Sequence, residues 1–201
     1  GRPLEKSWAS AHADALLTAY YPGQQGGNAI ADVLFGDVNP SGRLPISVPR
    51  SVGQLPVYYN HPLPEPHDYV EMTARPLYAF GYGKSYTTFE YSRLTVNAIS
   101  KDSISVSFDV TNTGTRDGAE VVQLYLNDSV ASVAQPVKQL RRFARVPLTK
   151  GQTKHITFTL HAADLAIINR EKQRTVEPGW FNVMVGAASN DIRLRGKFQI
   201  L

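Results

Sequence analysis

Ser103-Ile104-Ser105-Val106-Ser107-Phe108-Asp109-Val110 alternates small or polar residues with large apolar ones at every second position. Successive side chains of a strand point to opposite faces, so this period of two predicts a strand with one buried face and one solvated face. Asn112, Thr113 and Gly114 then supply turn residues. In the following run, Val121, Gln123 and Tyr125 interleave with Val122, Leu124 and Leu126. A strand apolar on both sides is one covered on both sides, which predicts a central strand.

The pattern extends in both directions. Period-two character begins at Phe89, and further strands are predicted at Leu140 to Val146, Ile156 to Leu160, Trp180 to Val185 and Ile192 to Ile200. Turn signals at Lys150-Gly151, Pro178-Gly179 and Ser189-Asn190 separate them. About seven short strands with no long helix between them predict a two-sheet antiparallel sandwich of the immunoglobulin or fibronectin type III kind. Phe108, Tyr125, Phe158 and Phe181 are expected in its core.

Upstream the periodicity changes. Ser7 to Tyr20 carries Trp8, Ala11, Ala15, Leu16 and Ala19 near helical spacing, with Ser7 as the expected N-cap. Pro22-Gly23 breaks this helix, and a Gly-rich turn leads to a second one, Asn28 to Phe35, with Ile30, Val33 and Leu34 on one face. Gly36 is expected to end it. A strand at Leu44 to Val48 would follow, so residues 1–53 are expected to be the end of an α/β layer. About 50 residues cannot close such a layer alone. Residues 54–88 are expected to connect the two parts. Within them, Gln54 to Arg75 holds Pro56, Pro62, Pro64 and Pro66 and predicts a long exposed loop. With the sandwich at 89–201, the fold class is α+β overall.

Composition narrows the function classes. Apolar residues make up 42% and charged ones 19%, which supports a folded core rather than disorder. The net charge of +4 is spread out, with only Arg141, Arg142 and Arg145 clustered, and that is too thin for a nucleic-acid partner. No apolar run approaches the roughly 20 residues that cross a bilayer, so no membrane role is expected. Cysteine is absent, which removes thiolate chemistry and disulfides but does not fix the compartment. The Gly-Arg-Pro start has the character of an internal sequence.

Site motifs are sparse. His12, His61, His67, His155 and His161 show no i, i+4 pair of the kind a metal motif needs. His155 and His161 are expected at strand-edge or capping positions, which leaves His61 and His67 in the long loop of interest. Gly81-Tyr-Gly-Lys-Ser85 lacks the Walker spacing and precedes a strand, so it is not read as a phosphate loop. No Gly-x-Ser-x-Gly elbow occurs. Neither a metal nor a cofactor is expected. Outside the sandwich, Glu5, Asp37, Asp68 and Glu71 are the acids eligible for glycosidic chemistry, which needs a carboxyl pair meeting in three dimensions.

The run YPGQQGGNAIADVLFGDVNPSGRLP (residues 21–45) closely resembles the end of the second, α/β domain of family 3 glycoside hydrolases. Gly1-Arg-Pro-Leu4 resembles the strand end before it, and PLYAFGYGKSYTTF (76–89) resembles the family's passage into its fibronectin III-like domain, with Ala79 and Lys84 replacing a common proline and leucine. VTNTG (110–114), GAEVVQLY (118–125), KQLRRF (138–143) and EPGWF (177–181) extend the similarity over almost the whole chain.

This resemblance implies a segment of a retaining β-glucosidase, with a β-xylosidase of the same family as the alternative. It implies a nucleophilic aspartate and an acid/base glutamate that lie before Gly1, hence no catalytic residue in this chain and no turnover by it alone. The partners implied are an N-terminal catalytic portion and a small β-glucoside or oligosaccharide; a homodimer stays open. A secreted or periplasmic location follows family habit. In the connecting loop, Asp68, Tyr69 and Glu71 are the candidate substrate contacts, with Tyr69 as an aromatic platform for sugar. Two other functions compete: a non-catalytic carbohydrate- or protein-binding sandwich, and a brace for catalytic domains.

Overall fold

Seven long strands build the sandwich in the computed structural model, which describes residues 4–62, 67–100 and 103–201. They are β1 (Phe89–Ser100), β2 (Ser103–Asn112), β3 (Gly118–Asp128), β4 (Gln139–Leu148), β5 (Thr153–His161), β8 (Gly179–Ala188) and β9 (Asp191–Ile200). Between β5 and β8 lie a single helical turn, α3 (Ala162–Leu165), and a two-residue pair, β6 (Ile167–Ile168) with β7 (Arg174–Thr175). The long strands form two antiparallel sheets in the orders β1-β2-β5 and β4-β3-β8-β9.

Strand alternation builds the core. Ile104, Val106, Phe108 and Val110 of β2 face Val122, Leu124 and Leu126 of β3 and Phe181, Val183 and Val185 of β8, all of them buried. Parallel stacking of Tyr91 on Phe108 and of Phe181 on Phe198 fills the space between the sheets. Each such side chain contributes about 1.5–3 kcal/mol of apolar burial. Phe158 packs against this cluster. Tyr125 is also fully buried, but on the other face of its sheet.

The predicted double coverage of β3 has a concrete cause. On its outer face, Tyr125 meets the Tyr59 ring edge-on at 6.0 Å, and Tyr59 stacks on Phe80 at 4.2 Å. Gln123 lies beside them and is buried. Its amide donates to Gly81 O (3.2 Å) and Ala187 O (2.6 Å), while its oxygen accepts from the Tyr125 hydroxyl (2.5 Å). A Cβ on Gly81 would stand 2.1 Å from that oxygen, and φ there is +82°, so glycine is required at this contact. The segment before β1 thus supplies the outer layer of the larger sheet.

Upstream helices are shorter or shifted. α1 spans Ser7–His12, its N-cap is Lys6 rather than Ser7, and Ala13 is already extended. Leu16, Leu17 and Tyr20, expected on the same helix, are exposed. A short helix gains most of its stability from packing an apolar face, and these residues meet no such surface. α2 spans Gly26–Phe35, beginning two residues before the expected start, and ends at left-handed Gly36 (φ +87°) as expected. No strand forms at Leu44 to Val48. Instead Leu44 and Val48 exchange backbone hydrogen bonds with residues 77–82, leaving one isolated bridge, Val48 to Tyr78. Pro45 and Pro49 remove the donors that a longer ladder would use. The strand end expected at Gly1–Pro3 lies outside the described residues, as do Pro64 and Pro66.

Candidate functional site

The loop over 54–75 is closed at its neck by one side chain. Gln54 is 3% exposed. Its oxygen accepts from Arg50 N (2.8 Å) and its amide donates to Ala74 O (2.7 Å) and Arg75 O (3.1 Å). Arg50 Nε adds a bond to Arg75 O. Buried amides need such partners, and here they hold the two ends of the loop together. The sequence offered no marker for this role, since an isolated glutamine in a loop has no distinguishing spacing.

A second set of bonds ties the loop to the sandwich. Val137 N donates to His61 O (2.9 Å), Pro62 bridges Pro136, and Leu140 N donates to the Tyr59 hydroxyl (3.3 Å). His61 Nδ1 lies 3.0 Å from Pro62 O, and His67 is exposed.

Of the three loop candidates, Asp68 has the most structure around it. Its Oδ1 accepts from Thr73 Oγ1 and Ala74 N, each at 2.8 Å. The Ala74 amide and then the Thr73 hydroxyl hold its carboxyl below the usual carboxylate range. Tyr69 N donates to Met72 O (2.8 Å), so the turn from 68 to 74 presents Tyr69 at half exposure, beside fully exposed Val70 and exposed Glu71. Asp68 therefore orders the loop, while Tyr69 and Glu71 face outward from it.

None of the eligible acids has the environment of a proton donor. That role needs a carboxyl pushed upward by burial or a like charge. Asp68 is shifted the other way, and so is exposed Glu5, through its bonds with Ser7 at the start of α1. Asp37 and Glu71 are exposed. Among the described residues no group of His, Cys, Asp or Glu could hold a metal ion.

Charge clusters lie on the sandwich. Arg43 reaches Glu120 of β3 at 2.9 Å, and the Tyr91 hydroxyl donates to the other Glu120 oxygen at 2.9 Å. All three groups are buried or nearly so, so Arg43 fixes the upstream segment to the sandwich core. On the far sheet, buried Asp109 accepts from Arg93 and lies 2.6 Å from His155 Nδ1. The hydrogen bond with His155, helped by Arg93, holds its carboxyl below the usual range. His155 and His161 thus serve as strand and strand-end partners: His161 N bonds the Asp164 carboxylate at 2.8 Å. Arg142 forms a two-point ion pair with the same Asp164.

A second surface escaped sequence reading. Trp180 is 44% exposed at the start of β8, next to core Phe181. The alternation of Trp180, Asn182 and Met184 with Phe181, Val183 and Val185 was the available signal.

Comparison with known proteins places these features in a family. The Glycosyl hydrolase family 3 C-terminal domain matches residues 1–86, and the Fibronectin type III-like domain matches residues 120–189. A periplasmic beta-glucosidase of Salmonella typhimurium is 45% identical over all of this chain and 28% of its own length. A beta-xylosidase of Formosa agariphila is 42% identical over 94% of the chain and 27% of its own length. A β-glucosidase structure from Erythrobacter marinus superposes with a TM-score of 0.95 at 41% identity, covering 100% of this chain and 27% of that one. For the glucose complex of a β-glucosidase from Listeria innocua the TM-score is 0.89 at 36% identity, covering 98% and 29%. The chain thus spans little more than a quarter of these relatives. It belongs to glycosyl hydrolase family 3, carrying that family's C-terminal domain joined to a fibronectin type III-like domain.

Proposed function

We propose that this chain forms part of a retaining β-glycosidase that releases terminal β-D-glucosyl residues, serving as scaffold while the loop around Tyr69 contributes to the rim of the substrate site. The carrying observation is the 45% identity over the entire chain to a beta-glucosidase. Support also comes from the apolar side chains left in solvent before residue 36. Trp8 (73%), Tyr21 (84%), Leu34 (65%) and Phe35 (85%) are each exposed within the part that matches the Glycosyl hydrolase family 3 C-terminal domain. Apolar exposure on that scale marks a surface made for more polypeptide, and the partner proposed for it is the N-terminal catalytic portion of the enzyme.

Retaining hydrolysis needs two carboxyl groups about 5–5.5 Å apart, one attacking the anomeric carbon and one protonating the leaving oxygen before activating water. Glu5, Asp37, Asp68 and Glu71 are all exposed, so neither role falls to them and both are assigned to that partner portion. In this reading Asp68 shapes the loop, Tyr69 offers its ring to a sugar face, and Glu71 offers hydroxyl acceptors at the rim. The 42% identity to a beta-xylosidase supports a second reading, in which the released sugar is xylose. A periplasmic relative supports placement outside the cytoplasm.

Hydrolysis of nitrophenyl β-glucoside and β-xyloside by the enzyme containing this chain tests both readings. Preference for the glucoside supports the first and preference for the xyloside the second; hydrolysis of neither overturns both. For the loop, Tyr69→Ala should raise KM severalfold with a smaller change in kcat. Unchanged kinetics would remove Tyr69 from the rim.

A further inference from the structure

A groove of about 310 Å³ runs over the outer face of the larger sheet, bordered by Asn127, Val137, Asn182, Met184 and Arg195. Its position follows from the alternation of β8 and β9. Phe181, Val183 and Val185 point into the core, which sends Trp180, Asn182 and Met184 to the other side. Register places Met184 opposite Arg195 and Asn182 opposite Lys197. Beyond the groove, two residues along β8 from Asn182, Trp180 is 44% exposed, and Lys197 Nζ stands 4.6 Å from its ring centroid.

The amides in this groove are already oriented. Asn182 Nδ2 donates both to Asn127 Oδ1 (3.0 Å) and to Ser129 Oγ (2.9 Å). Asn127 Nδ2 is held by Pro136 O (3.2 Å). With its donors committed, Asn182 presents its oxygen as an acceptor, and across the groove Arg195 presents a guanidinium with five donors. Partly exposed Val137, a fixed acceptor, a forked donor and, along the strand, an indole are groups that suit a pyranose ring, whose C–H face is apolar and whose hydroxyls both donate and accept. From Met184 to Trp180 the strand covers about 13 Å at 3.3 Å per residue, longer than one ring.

We propose that this groove is an oligosaccharide-binding site, distinct from the loop at Tyr69, that takes a neutral β-linked gluco-oligosaccharide along β8. One sugar lies against Val137 between Asn182 and Arg195, and the next lies toward Trp180. The choice of glucose rests on the β-glucosidase reading above; the groove itself does not.

The chain has two tryptophans, Trp8 and Trp180, so a 5-fluorotryptophan-labelled full chain gives two fluorine resonances, assigned with Trp180→Phe. Titration with cellopentaose should move the Trp180 resonance and leave that of Trp8 in place. Asn182→Ala and Arg195→Ala, both at solvent-accessible positions, should each weaken the response about tenfold while retaining the dispersed spectrum of the folded chain. A Trp180 resonance unmoved at saturating cellopentaose overturns the proposal, as does equal response in both variants. Movement only with an oligogalacturonate overturns the neutral-sugar assignment. Failure of the enzyme to cleave any β-glucoside would remove the glucose assignment alone, because the fluorine titration reads the groove directly.

Discussion

The sandwich and the segment before residue 36 treat their large side chains in opposite ways. In the sandwich Phe108, Phe181, Leu124 and Val185 are sealed between two sheets. Before residue 36, Trp8, Tyr21, Leu34 and Phe35 stand in solvent. The difference is one of closure. Antiparallel strands joined by tight turns find their partners within one stretch of chain, whereas a helix of an α/β layer buries its apolar stripe only on a sheet drawn from elsewhere. Between these extremes lie residues 36–62 and 67–88, which have little regular structure of their own yet are held to the sandwich by Arg43, Tyr59, Phe80 and Gly81.

The contrast can be broken most forcefully at the core. Phe108→Ala should cost about 3–5 kcal/mol of unfolding free energy in urea denaturation, since the cavity is enclosed on all sides. A loss below about 1 kcal/mol would mean that the sandwich core is not the element that holds the chain together.

The join between segment and sandwich comes next. Glu120→Ala leaves Arg43 and the Tyr91 hydroxyl without their buried acceptor and should cost about 3 kcal/mol. The double variant Arg43→Met/Glu120→Leu should recover most of that loss, because it removes both charges together. Full loss in the double variant would show that the pair does more than neutralise itself.

A smaller effect depends on pH. The Asp109 carboxyl sits below its ordinary value because of His155 and Arg93. A depressed folded value means that its stabilisation is present above the unfolded value of about 3.9 and disappears as pH falls through the folded one. Melting temperature should therefore drop on acidification below about pH 4, and Asp109→Asn should flatten that part of the profile. An unchanged slope would assign the acid sensitivity to other carboxylates.

The smallest effect on this chain sharpens the comparison most. Phe35→Ser should alter its unfolding free energy by no more than about 0.5 kcal/mol, because the ring is already in water. In the chain joined to the N-terminal portion proposed above, the same change should be strongly destabilising. Equal effects in both would refute the idea that this face is completed by other polypeptide.

Much of this was legible from local pattern. Period two in β2, the turns at Asn112 and Gly151, and the left-handed stop at Gly36 follow from side-chain direction and backbone sterics, which act within a few residues. So did the double coverage of β3, since apolar residues on both sides of one strand need two neighbours. The family was legible too, in residues 21–45 and 76–89.

What the sequence left open was decided by contacts between distant residues. The sequence alone determined seven strands, two sheets and the identity of most core side chains, because strand alternation and turn chemistry are local. Only the tertiary structure decided that residues 13–20 leave the helix, that 44–48 pair with 77–82, that Gln54 closes the loop, and that Asn127, Asn182 and Arg195 share a groove. Helix length, loop closure and groove formation depend on which surface lies opposite, and that surface comes from chain far away in sequence.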